Sequence, residues 1–110
     1  MICDAWDVVT VPFPFTDRAG LKRRPALVVS VESFNRNGHS LMAMITSSRQ
    51  PWPTDSPLSQ LANCGLTRPC VVRLKLFTLD NRLIVRRIGR LAEEDKTRVA
   101  GALKSILPAY

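Results

Sequence analysis

Pro25, followed at once by Ala26-Leu27-Val28-Val29-Ser30, is the feature that most limits how this chain can fold. Proline has no N–H to give to a ladder, so it suits the first residue of a strand better than the middle. The residues after it are apolar without alternation and rich in β-branching, the composition of a strand buried on both faces. Such a strand needs apolar partners on two sides, and in a short chain that points to a small barrel. Arg23 and Arg24 stand immediately before it. Read locally they form a solvated basic turn. Read as the mouth of a rigid strand, they hold the Arg24 guanidinium where an anion can meet it.

The remaining segments fit the same architecture. Residues 6–11, Trp-Asp-Val-Val-Thr-Val, have strand composition, and Pro12 and Pro14 are expected to end regular pairing. A polar, glycine-containing loop follows over residues 16–23. The second strand then runs from Arg24 to about Val31, and Asn35-Arg36-Asn37-Gly38 carries strong turn chemistry. Leu41-Met42-Ala43-Met44-Ile45 reads as a third strand closing in Thr46-Ser47-Ser48-Arg49. Three prolines between Gln50 and Pro57 predict an irregular loop. Two short strands are expected at 70–74 and 76–79, a turn at Asp80-Asn81-Arg82, and a further strand from Leu83 to Arg87. After Gly89 the period changes: Val99, Leu103, Ile106 and Leu107 lie on one helical face, and Glu93, Glu94 and Asp95 crowd its first turn, where negative charge suits the helix dipole. Pro108 stops that helix. Short strands followed by one helix predict a mainly β chain, a small closed antiparallel barrel plugged by a C-terminal helix.

A chain of 110 residues is expected to form one domain, residues 1–110. Its 16 Lys and Arg against 9 Asp and Glu leave a net charge of +7, which favours a polyanionic partner, with nucleic acid ahead of membrane. Cys3, Cys64 and Cys70 have no CxxC spacing, and His39 is the single histidine, so neither a zinc set nor a disulfide framework is expected. Scattered thiols, no leader-like N-terminus and no apolar run of membrane-spanning length predict a soluble cytoplasmic protein.

Nucleotide-binding glycine loops and paired-histidine metal motifs are absent from the sequence. His39, Asp7 and Asp80 sit in turn or strand-end contexts and read as turn or capping groups. Chemistry concentrates instead at two strand ends. If the second and third strands pair antiparallel around the turn at 35–38, Arg24 and Thr46 meet at the opposite end. A guanidinium beside a hydroxyl can stabilise a phosphorane and orient an attacking oxygen. Lys22, Arg23 and Arg49 are placed to hold phosphates, with Ser47 in the same polar cluster. Phe13 and Phe15 fit two roles, closing the barrel's end or stacking unpaired bases. Trp52, between two prolines, is expected to contact a partner, RNA or protein.

These residues also carry a family resemblance. The chain resembles the PemK/MazF family of toxin–antitoxin ribonucleases through an ordered series of blocks: Asp7-Val8-Val9, Val11-Pro12-Phe13-Pro14-Phe15-Thr16-Asp17, Arg24 to Ser30, Ile45-Thr46-Ser47, Val72-Arg73, Leu76 to Asp80, and Ile88-Gly89-Arg90-Leu91. The resemblance implies an SH3-like antiparallel barrel of the type PemK and CcdB toxins share, with a C-terminal helix, forming a homodimer. It implies cofactor-free, metal-independent cleavage of single-stranded RNA, in which the ribose 2′-OH attacks the adjacent phosphate and leaves a 2′,3′-cyclic phosphate and a 5′-OH. The family's catalytic arginine falls on Arg24 and its threonine on Thr46. Since a ribonuclease endangers its own cell, a cognate acidic antitoxin, disordered alone, is the expected partner. Two alternatives stay open: a CcdB-like gyrase poison acting through the helix, and an inactive RNA-binding module. The chain departs from the family pattern in three places. Trp6 stands where the family has glycine, the loop between strands one and two is shorter than in many relatives, and Leu61-Ala62-Asn63 replaces an expected tryptophan.

Overall fold

Successive residues of the central strands feed two different apolar clusters, and this double burial organises the sheet. The computed structural model describes residues 1–13 and 22–108. The elements are β1 (Asp7–Phe13), β2 (Lys22–Val28), α1 (Glu32–Asn35), β3 (His39–Thr46), β4 (Ser56–Pro57), β5 (Val71–Asp80), a 3-10 turn (Asn81–Leu83), β6 (Arg86–Arg90) and α2 (Glu93–Ile106). Val8, Leu27, Ala43 and Ile45 point into one cluster with Leu58, Cys64, Leu91 and Val99. Their neighbours Val9, Val11, Ala26, Val28 and Met42 point into the other, with Cys3, Leu79 and Ile84. Period-two alternation with both faces buried accounts for the unbroken apolar runs in the sequence.

All pairings are antiparallel, in the spatial order β4-β5-β3-β2-β1-β6. Among the described residues β4 and β6 are therefore sheet edges, and the sheet is a curled half-barrel in place of the expected closed one. The helix α2 and the 58–70 segment cover one face, Val99 being fully buried. The apolar face of α2 is shorter than its sequence periodicity: Ile106 and Leu107 are exposed.

Two expectations about proline fail for one reason. Pro12 pairs with Arg23, and Pro25 sits inside β2 opposite Thr10, so neither ends a strand. The β2–β3 ladder covers only Ala26 to Val28, whereas the β1–β2 ladder continues to Phe13 and Lys22. Pro25 thus lies where β2 has no partner on its β3 side, and its missing N–H deprives no ladder there. The two short strands expected at 70–79 form a single strand, β5. Its pairing moves from Met42↔Phe77 to Met44↔Arg73, so a two-residue step on β3 spans four on β5. The break in apolar pattern at Lys75 marks this bulge. The loop expected at 16–23 and Phe15 lie largely outside the described residues.

At the end of the sheet where β2 joins α1, polar side chains are buried and paired. The Asn35 side chain donates to the Cys3 carbonyl at 2.9 Å and Asn81 to the Asn35 carbonyl at 2.6 Å, while Ser40 donates to Asn81 at 2.6 Å. This network joins the N-terminus, α1, β3 and the 3-10 turn, and no buried side-chain donor or acceptor among the described residues lacks a partner.

Trp6 adopts φ +76°, the left-handed region where the family glycine would cost nothing. Its amide donates to the Val28 carbonyl at 2.7 Å and its own carbonyl accepts from Leu91 at 3.0 Å, which pins the backbone in that conformation. The indole packs on the cluster capped by α2. A left-handed non-glycine residue costs about 1–2 kcal/mol, and the ring contacts offset it. Trp6→Gly should relieve the strain yet lose the packing, with a net loss of about 1–3 kcal/mol in denaturant unfolding, below the usual cost of deleting a tryptophan.

Asp95 is fully buried in the first turns of α2. Burial pushes its carboxyl up, but the Ser59 amide and hydroxyl, the Gln60 amide and Arg98 all donate to it and hold it below the ordinary value. A lowered folded value means stability that is present above the ordinary carboxylate range and lost as pH falls through the folded one. Unfolding midpoints should accordingly drop below about pH 4. Asp95→Asn should cost about 1.5–3 kcal/mol at pH 7 and flatten that acid limb.

Candidate functional site

The register of the central pairing decides what meets at the open end of the sheet. Ala26 faces Met44, Leu27 faces Ala43 and Val28 faces Met42. Continued two residues past the last pair, the same register sets Arg24 opposite Thr46. By the same alternation Arg24 shares a face with Ala26, Thr46 with Met44, and Phe13 with Val11. Because β2 and β3 part company after Ala26, a cleft of about 450 Å³ opens between them, and Arg24 and Thr46 both line it.

The Arg24 guanidinium lies 5.9 Å from the centroid of the Phe13 ring. Val11 is the direct cross-strand partner of Arg24, so Phe13 is its diagonal neighbour, within reach of a long side chain. An exposed cation–π contact of this kind is worth about 0.5–1 kcal/mol and restrains the charged head over the cleft. The half-buried Thr46 hydroxyl accepts from the Ser48 amide at 3.1 Å, an ST-type turn that fixes the side chain and leaves its O–H to donate elsewhere.

Arg23 and Ser47 line the same cleft. The 65–68 segment, to which the sequence reading gave no role, also contributes: Thr67 and Arg68 line the cleft, alongside Cys70. A signal for it did exist. Arg68-Pro69-Cys70-Val71-Val72 repeats the pattern of Arg24-Pro25-Ala26-Leu27-Val28, an arginine and a proline at the entry to an apolar strand.

Charge is distributed unevenly over the molecule. Arg36, Arg73, Arg82, Arg87, Arg90 and Arg98 each pair with a carboxylate. Arg23, Arg24 and Arg68 have no ion pair among the described residues, and no Asp or Glu is among the described residues lining the cleft. Three uncompensated guanidiniums in a concave, partly apolar site make a focused positive potential suited to an anion. Cys70 on the cleft wall is not a nucleophile in waiting, since burial pushes its thiol up, and burial drives Cys64 up to about 11. Among the described residues no cluster of His, Cys, Asp or Glu is arranged to hold a metal ion.

Lys22, Arg49 and Trp52 do not line the cleft. Lys22 pairs with Phe13 across the β1–β2 ladder and is exposed, and Arg49 is exposed on the chain leaving β3. Trp52 has a structural contact that its sequence context does not reveal. Its ring lies 5.1 Å from the Arg73 guanidinium, and its amide donates to Asp55 at 2.9 Å. Arg73, nearly buried on β5, also reaches Asp55 at 2.9 Å and the Gln50 carbonyl at 2.6 Å. The hydrogen bond from Arg73 holds the Asp55 carboxyl below its usual range. One buried ion pair thus ties down the irregular loop between β3 and β4, with the outer part of Trp52 left exposed.

A curled antiparallel half-barrel, capped by one helix and opening into a cleft whose described lining carries arginines and no carboxylate, defines a small mainly β protein. The chain belongs to the PemK-like, MazF-like toxins of type II toxin–antitoxin systems, whose family model matches residues 4–107. No curated protein matches it significantly. Among solved structures it is similar to MazF in a MazE–MazF complex from Deinococcus radiodurans, at 27% identity and TM-score 0.76 over 96% of both chains. It shares the fold of the toxin MazF-mt6 of Mycobacterium tuberculosis, at 23% identity and TM-score 0.73 over 90% of this chain and 93% of that one. The same holds for a mycobacterial endoribonuclease in complex with its cognate antitoxin, at 20% identity and TM-score 0.76 over 98% and 99%. Among the described residues no helix is long and apolar enough to cross a membrane.

Removing one partner of a nearly buried pair leaves the other charge stranded. Asp55→Ala should therefore cost about 3–5 kcal/mol by thermal or denaturant unfolding, and Trp52 fluorescence should shift toward that of a solvated indole.

Proposed function

We propose that this toxin is a cytoplasmic, metal-independent endoribonuclease that cuts single-stranded RNA within the cleft between β2 and β3. The observation that supports the reading is that Arg24 and Thr46, just past the last β2–β3 pair, both line one cleft whose described lining has arginines and no carboxylate. In the reaction the ribose 2′ oxygen loses its proton and bonds to the adjacent phosphorus. The bond from phosphorus to the 5′ oxygen breaks, and that oxygen takes a proton. The products are a 2′,3′-cyclic phosphate and a 5′-OH.

Negative charge grows on the non-bridging oxygens as the phosphorane forms. Arg24, held over the Phe13 ring, stabilises that charge, and an arginine does this better as a fixed cation than as a proton donor. Thr46, oriented by the Ser48 amide, donates to the phosphate and sets the line of attack. Arg23 and Ser47 hold the strand at the cleft, while Lys22, Arg49 and the exposed side of Trp52 extend the contact surface beyond it. The whole chain, residues 1–110, acts as one domain, and two copies form a homodimer. An acidic antitoxin segment lies across the cationic cleft and blocks it, as the antitoxin-bound state of two of its structural neighbours supports.

Primer extension on a long transcript after exposure to the protein tests activity, cleavage sequence and end chemistry together. Arg24→Ala should lower cleavage by about 10²–10³-fold, with a fall in melting temperature no larger than loss of the exposed Phe13 contact, about 0.5–1 kcal/mol, produces. A double Arg24→Ala, Thr46→Ala variant should no longer arrest growth. Retained toxicity in that variant would support a protein-directed poison instead, and RNA retention without products would support a binding module.

A further inference from the structure

We propose that Arg68, assisted by Thr67, is a second phosphate site of the cleft, holding the phosphodiester next to the one that Arg24 and Thr46 engage. This rests on the reading of the cleft as an RNA site. Arg68 is exposed, lines the cleft from the 65–68 segment that precedes β5, and has no ion-pair or hydrogen-bond partner among the described residues. A cleft of about 450 Å³ is far larger than one phosphate group. Its cations come from two separate segments, Arg23 and Arg24 on β2 and Arg68 on the loop before β5. A strand laid along a cleft of that size presents one phosphate to each segment.

The loop that carries Arg68 is built as a rigid mount. Gly65 has φ +71°, and a Cβ there would run into the Ile88 carbonyl of β6. Gly89 is its counterpart, since a Cβ at that position would strike the backbone of Asn63 and Cys64. The two glycines allow the loop and β6 to approach backbone to backbone. The Arg90 amide then bonds the Asn63 carbonyl at 2.9 Å, while the Cys64 and Leu66 amides both return to the Leu61 carbonyl at 3.0 Å. Buried Cys64 anchors the same turn in the core. The turn that leads into Arg68 is therefore fixed as far as Leu66 before substrate arrives, which limits the further ordering that has to accompany binding. Cleavage chemistry alone does not require this loop. A phosphate contact at a set distance from the scissile bond does.

The test uses the full chain and two substrates. One is a long transcript, for kcat and KM. The other is a fully 2′-O-methylated single-stranded RNA pool, which has no nucleophile and reports binding alone over a salt series. Arg68→Ala should raise KM about tenfold, the loss of one charge-assisted contact, with kcat within about twofold of the parent. It should also make the slope of log affinity against log salt shallower by about 0.7, one single-strand phosphate fewer. Arg68→Lys should restore the slope. Gly65→Ala, with Arg68 intact, should raise KM in the same direction if its melting curve shows a folded protein. Should that variant fail to fold, the Arg68 pair decides the matter.

Unchanged KM and slope in Arg68→Ala, with Arg24→Ala still inactive, overturn this site and leave the ribonuclease reading standing. A wild-type protein that cuts no RNA but binds the methylated pool with an Arg68-dependent slope overturns the ribonuclease reading and supports the site. No binding of the pool by wild type overturns both.

Discussion

The antiparallel pairing of β2 with β3 stops after three residue pairs, and most of what is distinctive about this molecule depends on that stop. Where the two strands are joined, their side chains alternate between two apolar clusters and build the core. Where they separate, the same alternation continues with polar groups, and Arg24 and Thr46 emerge on the lining of a cleft. Pro25 stands at the separation. Its missing N–H would disrupt a two-sided ladder, and there the ladder has only one side.

Rigidity at the cleft is supplied from three directions. The Asn35–Asn81 network braces the sheet where β2 joins α1, so the register cannot slip without breaking buried hydrogen bonds. The Arg73–Asp55 pair fastens the β3–β4 loop and seats Trp52. The paired glycines at 65 and 89 dock the turn before Arg68 against β6. Among the described residues the cleft arginines have no ion pair, whereas six arginines elsewhere find carboxylates. That segregation costs stability through repulsion among like charges, and a polyanion is what relieves it.

Much of the architecture was legible because strand and helix periods are local properties. The unbroken apolar run from Ala26 to Val29, the turn chemistry at 35–38 and the shift to helical spacing after Gly89 all name their elements correctly. Errors came where a neighbour decided the outcome. Pro12 and Pro25 looked like strand ends because the sequence does not show which side of a strand is paired. Lys75 looked like a gap between strands because a bulge and a break have the same apolar pattern. Trp6 was recognisable as a departure from the family glycine, but only its backbone bonds to Val28 and Leu91 reveal that it bears the left-handed conformation itself.

The candidate site divides in the same way. Residue type and order were enough to name Arg24 and Thr46 as candidates at neighbouring strand ends, and both line one cleft. Sequence also carried the ordered motif set of the toxin family and the excess of positive charge. Only the tertiary structure separated Arg23, Arg24 and Ser47 at the cleft from Lys22, Arg49 and Trp52 outside it. It alone brought Arg68 to the lining of the same cleft as Arg24. The physical reason is that burial, pairing and charge compensation are relations between distant segments. A linear pattern states what each segment can offer, and the packed chain decides which offers are taken up.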